Sequence, residues 1–112
     1  MATKYTNVHR TARISPKKVR QVGDLIRGKD IEAAFALLQH NKRRSAVFLD
    51  NALKAAVANA DQAEANVRSL VVSEVRVDDG PRIKRFQPKD RGRAHPIVKR
   101  TCHITVSVSE AG

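Results

Sequence analysis

The sequence is poor in cysteine and in aromatic residues. Among 112 residues there are one cysteine, no tryptophan, one tyrosine and three phenylalanines. A single thiol, Cys102, excludes an internal disulfide framework and fits a reducing compartment. Four aromatic rings are too few for a platform on which unpaired bases stack, as single-strand binders use. Long apolar runs are missing too. None approaches the ~20 residues that span a bilayer, and the opening MATKYTNVHR has no apolar stretch of a secretory signal. No membrane partner is expected, and the chain reads as mature, soluble and cytoplasmic. Its length fits one domain with one modest core.

Acids are also scarce: 11 against 22 lysines and arginines, for a formal charge of +11. Such an excess speaks to partners, and polyanions come first. The excess is unevenly spread. Residues 1–30 hold eight cations against Asp24 and Asp30, a net of +6. The cations are Lys4, Arg10, Arg13, Lys17, Lys18, Arg20, Arg27 and Lys29. Residues 31–80 come to −1, from six basic and seven acidic side chains. Residues 81–100 hold Arg82, Lys84, Arg85, Lys89, Arg91, Arg93, Lys99 and Arg100 against Asp90 alone, a net of +7. Two electrostatic footprints on one polyanion explain a neutral middle between two basic segments.

Catalytic chemistry finds little support. His9, His40, His95 and His103 are scattered, and none stands at metal-ligand spacing from Cys102. Cys102 and His103 are adjacent on an alternating segment, so they face opposite ways and cannot form a nucleophile–base pair. Asp78-Asp79 reads as a turn or an ion pair with Arg82 rather than as a metal-dependent nuclease. No glycine-rich phosphate loop is present. No cofactor, metal or catalytic residue is expected.

The periodicities give an α+β chain. Ser15-Pro16 opens a helix, serine as N-cap and proline in the first position. Val19, Val22, Leu25 and Ile26 make its apolar stripe, with Lys17, Arg20 and Arg27 opposite, and Gly28 stops it. Asp30 caps a second helix that buries Ile31, Ala34, Phe35 and Leu38. Asn41 is the expected cap of a third, running to about Glu64 with Ala46, Leu49, Leu53, Ala56, Val57, Ala60 and Ala63 inward. Lys42, Arg43 and Arg44 occupy its first turn, where cations oppose the helix dipole. Two readings stand there: a tolerated surface run, or a phosphate held jointly by the helix end and the side chains. From Val67 the period becomes two. Val71, Val75 and Val77 share one strand face, interrupted by Ser73, with Glu74 and Arg76 on the other. Cys102, Ile104, Val106 and Val108 alternate with polar residues in a last strand, buried on one side. Tyr5 to Ile14 is a candidate third strand. Of the phenylalanines, Phe35 and Phe48 belong to the core.

Between the last two strands lies VDDGPRIKRFQPKDRGRAHPIVKR. It has no helical stripe, and an unstructured connection this long is functional or disordered. Each flank borders a strand, so the simplest geometry is a long hairpin, about residues 80–97, leaving a body of 1–79 and 98–112. About nine residues per arm would reach roughly 30 Å. Such a charged ribbon needs an anionic partner to order it.

The stretches RTARISPKKVRQVGDLIRGK and VDDGPRIKRFQPKDRGRAHPIVKRTCHITV, with Asn59-Ala60 on the alanine-rich helix, resemble the bacterial large-subunit ribosomal protein L-twenty-two family. The resemblance runs from about His9 to Val108. It implies three helices packed on a small antiparallel sheet of about three strands, with a long protruding β-hairpin. It implies a structural constituent of the large subunit that binds its rRNA and supports assembly. The body would lie near the tunnel exit and the hairpin would line the nascent-peptide tunnel. Partners would be rRNA, neighbouring ribosomal proteins and the nascent peptide, the chain being a monomer within the ribosome. The expected RNA contacts are the cations of the two basic segments from Arg10 onward, together with Lys42, Arg43 and Arg44. The expected hairpin tip is Ile83, Lys84, Arg85, Phe86, Gln87, Pro88, Lys89, Asp90, Arg91, Gly92, Arg93 and Ala94. Two residues depart from the family pattern. Pro96 is expected to bulge or break the ribbon's pairing, and Asp90 puts an acid among cations. The competing reading is a free basic nucleic-acid-binding regulator, which would want a dimer or a recognition helix.

Overall fold

A computed structural model describes residues 4–89 and 93–110. In chain order the elements are β1 (Lys4–Ala12), α1 (Pro16–Ile26), α2 (Ile31–His40), α3 (Arg44–Gln62), a single 3-10 turn at Val67–Ser69, β2 (Leu70–Asp79), β3 (Ile83–Lys89), β4 (Arg93–Lys99) and β5 (Cys102–Glu110). β1, β5 and β2 form one antiparallel sheet in that order, and β3 and β4 form a second, two-stranded one. The three helices cover one face of the larger sheet, which makes the fold α+β with a protruding hairpin.

β5 is the central strand, and its burial differs from expectation. Cys102, Ile104, Val106 and Val108 are buried under the helices, as their alternation predicts. Thr105, Ser107 and Ser109 on the other face are buried as well. Side chains of β1 and β2 flank them, and Thr6 shares a hydroxyl–hydroxyl bond of 2.8 Å with Ser107. Small hydroxyl residues suit a position that is crowded from both sides yet has polar neighbours.

The apolar phase of β2 also departs from simple alternation. The buried residues are Leu70, Val72, Val75 and Val77, while Val71 is only partly buried. The register slips between Val72 and Glu74, and one extra residue there moves the inward set from even to odd numbers. Ser73 lies at that bulge and donates to the Ser107 carbonyl at 3.1 Å.

α1 starts at Ser15 as expected, with Pro16 in its first turn. Its buried face is Pro16, Val19, Val22, Gly23 and Ile26. Leu25, expected in that stripe, is 51% exposed. At 100° per residue it sits about 120° from the centre of the buried face. Gly23 takes the contact with the sheet instead. A Cβ there would meet Val75 Cγ1 at 2.9 Å, so its absence lets helix and strand close up. Gly28 ends the helix at φ +82°, in the left-handed conformation of a C-terminal cap. Asp30 caps α2 by accepting from the Ala33 N–H at 2.9 Å.

α3 begins later than its sequence suggests. Its N-cap is Arg43, and Asn41 instead accepts from the Arg43 N–H at 2.9 Å, closing a turn that leads into the helix. Only Arg44 of the basic triplet is helical. At the other end the helix stops at Gln62 and Ala63 is exposed. Leu49, Ala52, Leu53, Ala56 and Ala60 are buried, and Phe35 and Phe48 pack against the core's edge.

The ribbon's backbone runs in one register from Ile83↔Lys99 to Lys89↔Arg93, with no slip at Phe86↔Pro96. The expected bulge at Pro96 is therefore not found. In this register Pro88 and Pro96 fall in the same pairing class, because Pro88↔Ala94 and Phe86↔Pro96 are two steps apart. One phase of the ladder then spares both missing N–H groups, since alternate pairs in an antiparallel ribbon exchange no hydrogen bonds. Asp90, Arg91 and Gly92 lie outside the described residues. Seven paired residues per arm give about 23 Å of ribbon. The molecule measures 63 × 24 × 19 Å with a radius of gyration of 17.0 Å, against about 13 Å for a compact domain of this length.

Replacing Leu49 by Ala removes a fully buried side chain and is expected to cost about 3 kcal/mol, whereas Leu25→Ala costs less than about 1 kcal/mol. Urea unfolding of the two variants measures both, and equal losses would contradict the assigned face of α1.

Candidate nucleic-acid interface

The cations of the N-terminal segment and of the ribbon root come together at one end of the body. A cleft of about 290 Å³ lies where the ribbon leaves, lined by Lys17, Arg20, Arg82 and Arg100 with Pro16, Asp79, Gly80 and Thr101. A second, of about 360 Å³, is lined by Arg13, Arg44, Lys99, Arg100 and Thr101. A third, of about 350 Å³, is lined by Ile14, Lys18, Gln21, Arg43, Arg44 and Ser45. Arg100 and Thr101 are common to the first two, and Arg44 to the last two, so the clefts form one belt. Nine cations line it, and Asp79 is the acid among its lining residues. Among the described residues none of the nine is in an ion pair. The first turns of α1 and α3 open onto this belt. Neither has an acid in that turn or a side-chain cap, so their positive ends add to the charge.

The ribbon is joined to the body through a tight junction. The Gly80 N–H donates to the Thr101 carbonyl at 3.0 Å, and Thr101 Oγ1 donates to the Pro81 carbonyl. Thr101 is 2% exposed. A Cβ on Gly80 would meet Thr101 Oγ1 at 2.5 Å and its backbone carbon at 3.3 Å, so only glycine allows this approach. The junction sets the ribbon's direction at the centre of the belt.

Two expected RNA contacts have another use. Arg20 Nη2 and Nε donate to the Val77 carbonyl at 2.8 and 3.3 Å. Arg27 Nη2 donates to the Val75 carbonyl at 2.6 Å, and its Nη1 pairs with Asp24 at 2.6 Å. Both arginines lie at the rim of α1's buried face, not opposite it. They bond the outer edge of β2. Farther along that edge the Gly28 N–H donates to the Val72 carbonyl and the Val72 N–H to that of Lys29. An exposed strand edge invites pairing with other chains, and here it is covered. Lys29 and Arg27 lie at the far end of α1 from the belt. Arg10 is exposed on β1, and Lys42 is exposed just before α3. The sequence marked Arg20 and Arg27 as surface cations; nothing in it signals that a strand edge would run beside them.

Several of the candidate reactive groups have packing or hydrogen-bonding roles. Cys102 is fully buried, and burial raises its thiol pKa, with Arg20 lowering it and Asp79 raising it to lesser extents. His103 Nδ1 accepts the Thr11 N–H at 2.9 Å, which holds Thr11 at φ 56°, an unusual conformation for a β-branched residue. His9 packs edge-on against Phe48. Asp78 pairs with Arg76 at 3.2 Å, while Asp79 lines the root cleft. Among the described residues no group of three metal-ligating side chains occurs, and no helix is long and apolar enough to cross a membrane.

The fold and the site together are an α+β body with a cationic belt around the root of a long ribbon. The family described as ribosomal protein L22p/L17e matches residues 7–109. The chain belongs to this family of large-subunit ribosomal proteins.

Two expected outcomes test the site's construction. Gly80→Val is expected to break the junction and cost about 2 kcal/mol or more in urea unfolding, through the close contact with Thr101. Cys102 should resist thiol reagents in the native protein. Because its folded pKa is raised, its contribution to stability is complete below the unfolded thiol's pKa and is lost as pH rises through the folded value. Thermal unfolding from neutral to strongly alkaline pH, comparing the native chain with Cys102→Ala, should show a steeper alkaline loss in the native chain.

Proposed function

We propose that the chain is a non-enzymatic structural constituent of the large ribosomal subunit, at work in the cytoplasm as a monomer within the particle. The belt binds large-subunit rRNA, and the ribbon extends through RNA to line the nascent-peptide tunnel. The observation that carries this reading is the gathering of nine cations in one belt of clefts that includes the ribbon's root. Each Lys or Arg that meets a phosphate releases condensed counterions, which drives binding. Arginines also fork onto phosphate oxygens. The ribbon, with Lys84, Arg85, Lys89, Arg91 and Arg93 in its sequence, adds charge along its length. Cations enough to neutralise RNA on both flanks explain how so slender a ribbon is held. Neighbouring ribosomal proteins and the nascent peptide complete the set of partners, and the body sits near the tunnel exit, a placement that the family likeness supports.

The family match over residues 7–109 favours this reading over a free regulator.

Gradient sedimentation of lysate tests the reading. The protein is expected with large subunits both at moderate salt and after a high-salt wash; migration near the top would favour a free regulator. In filter binding to a large-subunit rRNA transcript, replacing Arg82, Lys99 and Arg100 with glutamine should lower the slope of log affinity against log salt by about 2–3. An unchanged slope would remove the belt from the interface.

A further inference from the structure

The start of α3 has three features that each cost stability in the free protein. Ser45 is 2% exposed, yet its hydroxyl has no hydrogen-bond partner. A buried hydroxyl left unpaired is costly. The helix has no side-chain cap, and in its first turn the Ala46 N–H bonds the Arg43 carbonyl at 3.1 Å while the Arg44 and Ser45 N–H groups have no partner among the described residues. Cations crowd this positive end, where the helix dipole disfavours them. Lys18, Arg43 and Arg44 all line the same cleft as Ser45.

The two arginines are held in place. Arg43 Nη1 donates to Gln21 Oε1 at 3.1 Å, and the Arg44 guanidinium lies 5.6 Å from the Phe48 ring centroid. One anion in the cleft answers all three costs at once. It accepts the hydroxyl, compensates the first amides and neutralises the cations.

We propose that this cleft is a phosphate seat, in which one phosphodiester of bound RNA sits against the start of α3. It accepts from Ser45 Oγ and is paired with Lys18 and Arg44. The inference rests on the RNA-binding reading and adds a fixed point to it. One phosphate is gripped by a built site, where the rest of the belt offers exposed charge.

The test uses the full chain. Amide shifts are followed by nitrogen-15 NMR during titration with inorganic phosphate, at constant ionic strength and with chloride as reference. The Arg44 and Ser45 amides should shift saturably, and more than those of Arg82 and Arg100. Ser45→Ala should weaken phosphate binding about tenfold, the worth of one hydrogen bond to a charged group. Its Tm should hold or rise, because the substitution removes the unpaired hydroxyl and inserts a better helix former. A purely structural serine would lose Tm and affinity together, and that result would overturn the proposal. So would shifts equal to those with chloride, or spread evenly over all basic residues. With a large-subunit rRNA transcript, Arg44→Gln should lower the salt slope by about one. A transcript bound with unchanged slope and unchanged Ser45→Ala affinity would overturn the seat alone. Saturable phosphate shifts at Ser45 without any transcript binding would uphold the seat and overturn the RNA reading.

Discussion

The pairing of β2 with β5 is the interaction on which the rest of the molecule depends. These two strands form the half of the sheet that α1 covers, and they also run directly into the arms of the ribbon. Asp79↔Cys102 is their last pair, and Ile83↔Lys99 is the ribbon's first. A slip of one residue between β2 and β5 would turn core valines outward and swing the ribbon at the same time. The bulge after Val72 and the Gly80–Thr101 contact together hold that register at two separate points. Core formation and the aim of the ribbon are therefore one event.

Charge in this protein is distributed between two tasks. Arg20 and Arg27 reach the carbonyls of Val77 and Val75 and close the edge of β2. The remaining cations of the first basic segment divide between the belt and the periphery. Arginine suits the edge task because its fork spans neighbouring acceptors and stays charged in a partly dry setting. The same residue type on the belt presents that fork to solvent and, under the proposed function, to phosphate. Arg20 does both, since it lines the root cleft while bonded to β2. The clustering of cations at two uncapped helix starts works against the stability of the free chain. That is consistent with a protein completed by its partner.

Much of the fold was legible. Alternation marked β5, the Asp30 cap and the run Ile31 to Leu38 marked α2, and the alanine-rich stripe marked α3. The long segment without helical period marked the ribbon. The failures have physical reasons. Leu25 fits a stripe drawn on hydrophobicity alone, but the sheet needed the close approach that Gly23 allows. Val71 fits a strict period of two, which a bulge breaks. Asn41 is a strong cap by type, yet it caps a turn, and the helix starts three residues on. Pro96 is forbidding in a central strand but tolerable in a ribbon whose alternate positions carry no ladder bond. For the site, charge density found the right segments without telling which cations meet. Ser45 drew no attention, because a serine beside three cations is ordinary until its burial is known.

The sequence by itself determined the fold class, the identity of the basic segments and the family, because periodicity, charge and motif spacing are properties of the chain's order. Only the tertiary structure decided which cations share a surface. Arg13, Lys17 and Arg44 join Lys99 and Arg100 across about half of the chain or more because antiparallel pairing returns β5 to the side of β1 and β2, and α1 and α3 dock with their first turns toward the ribbon's root. The physical reason is that burial and strand register act between residues distant in sequence, and no local pattern carries that information.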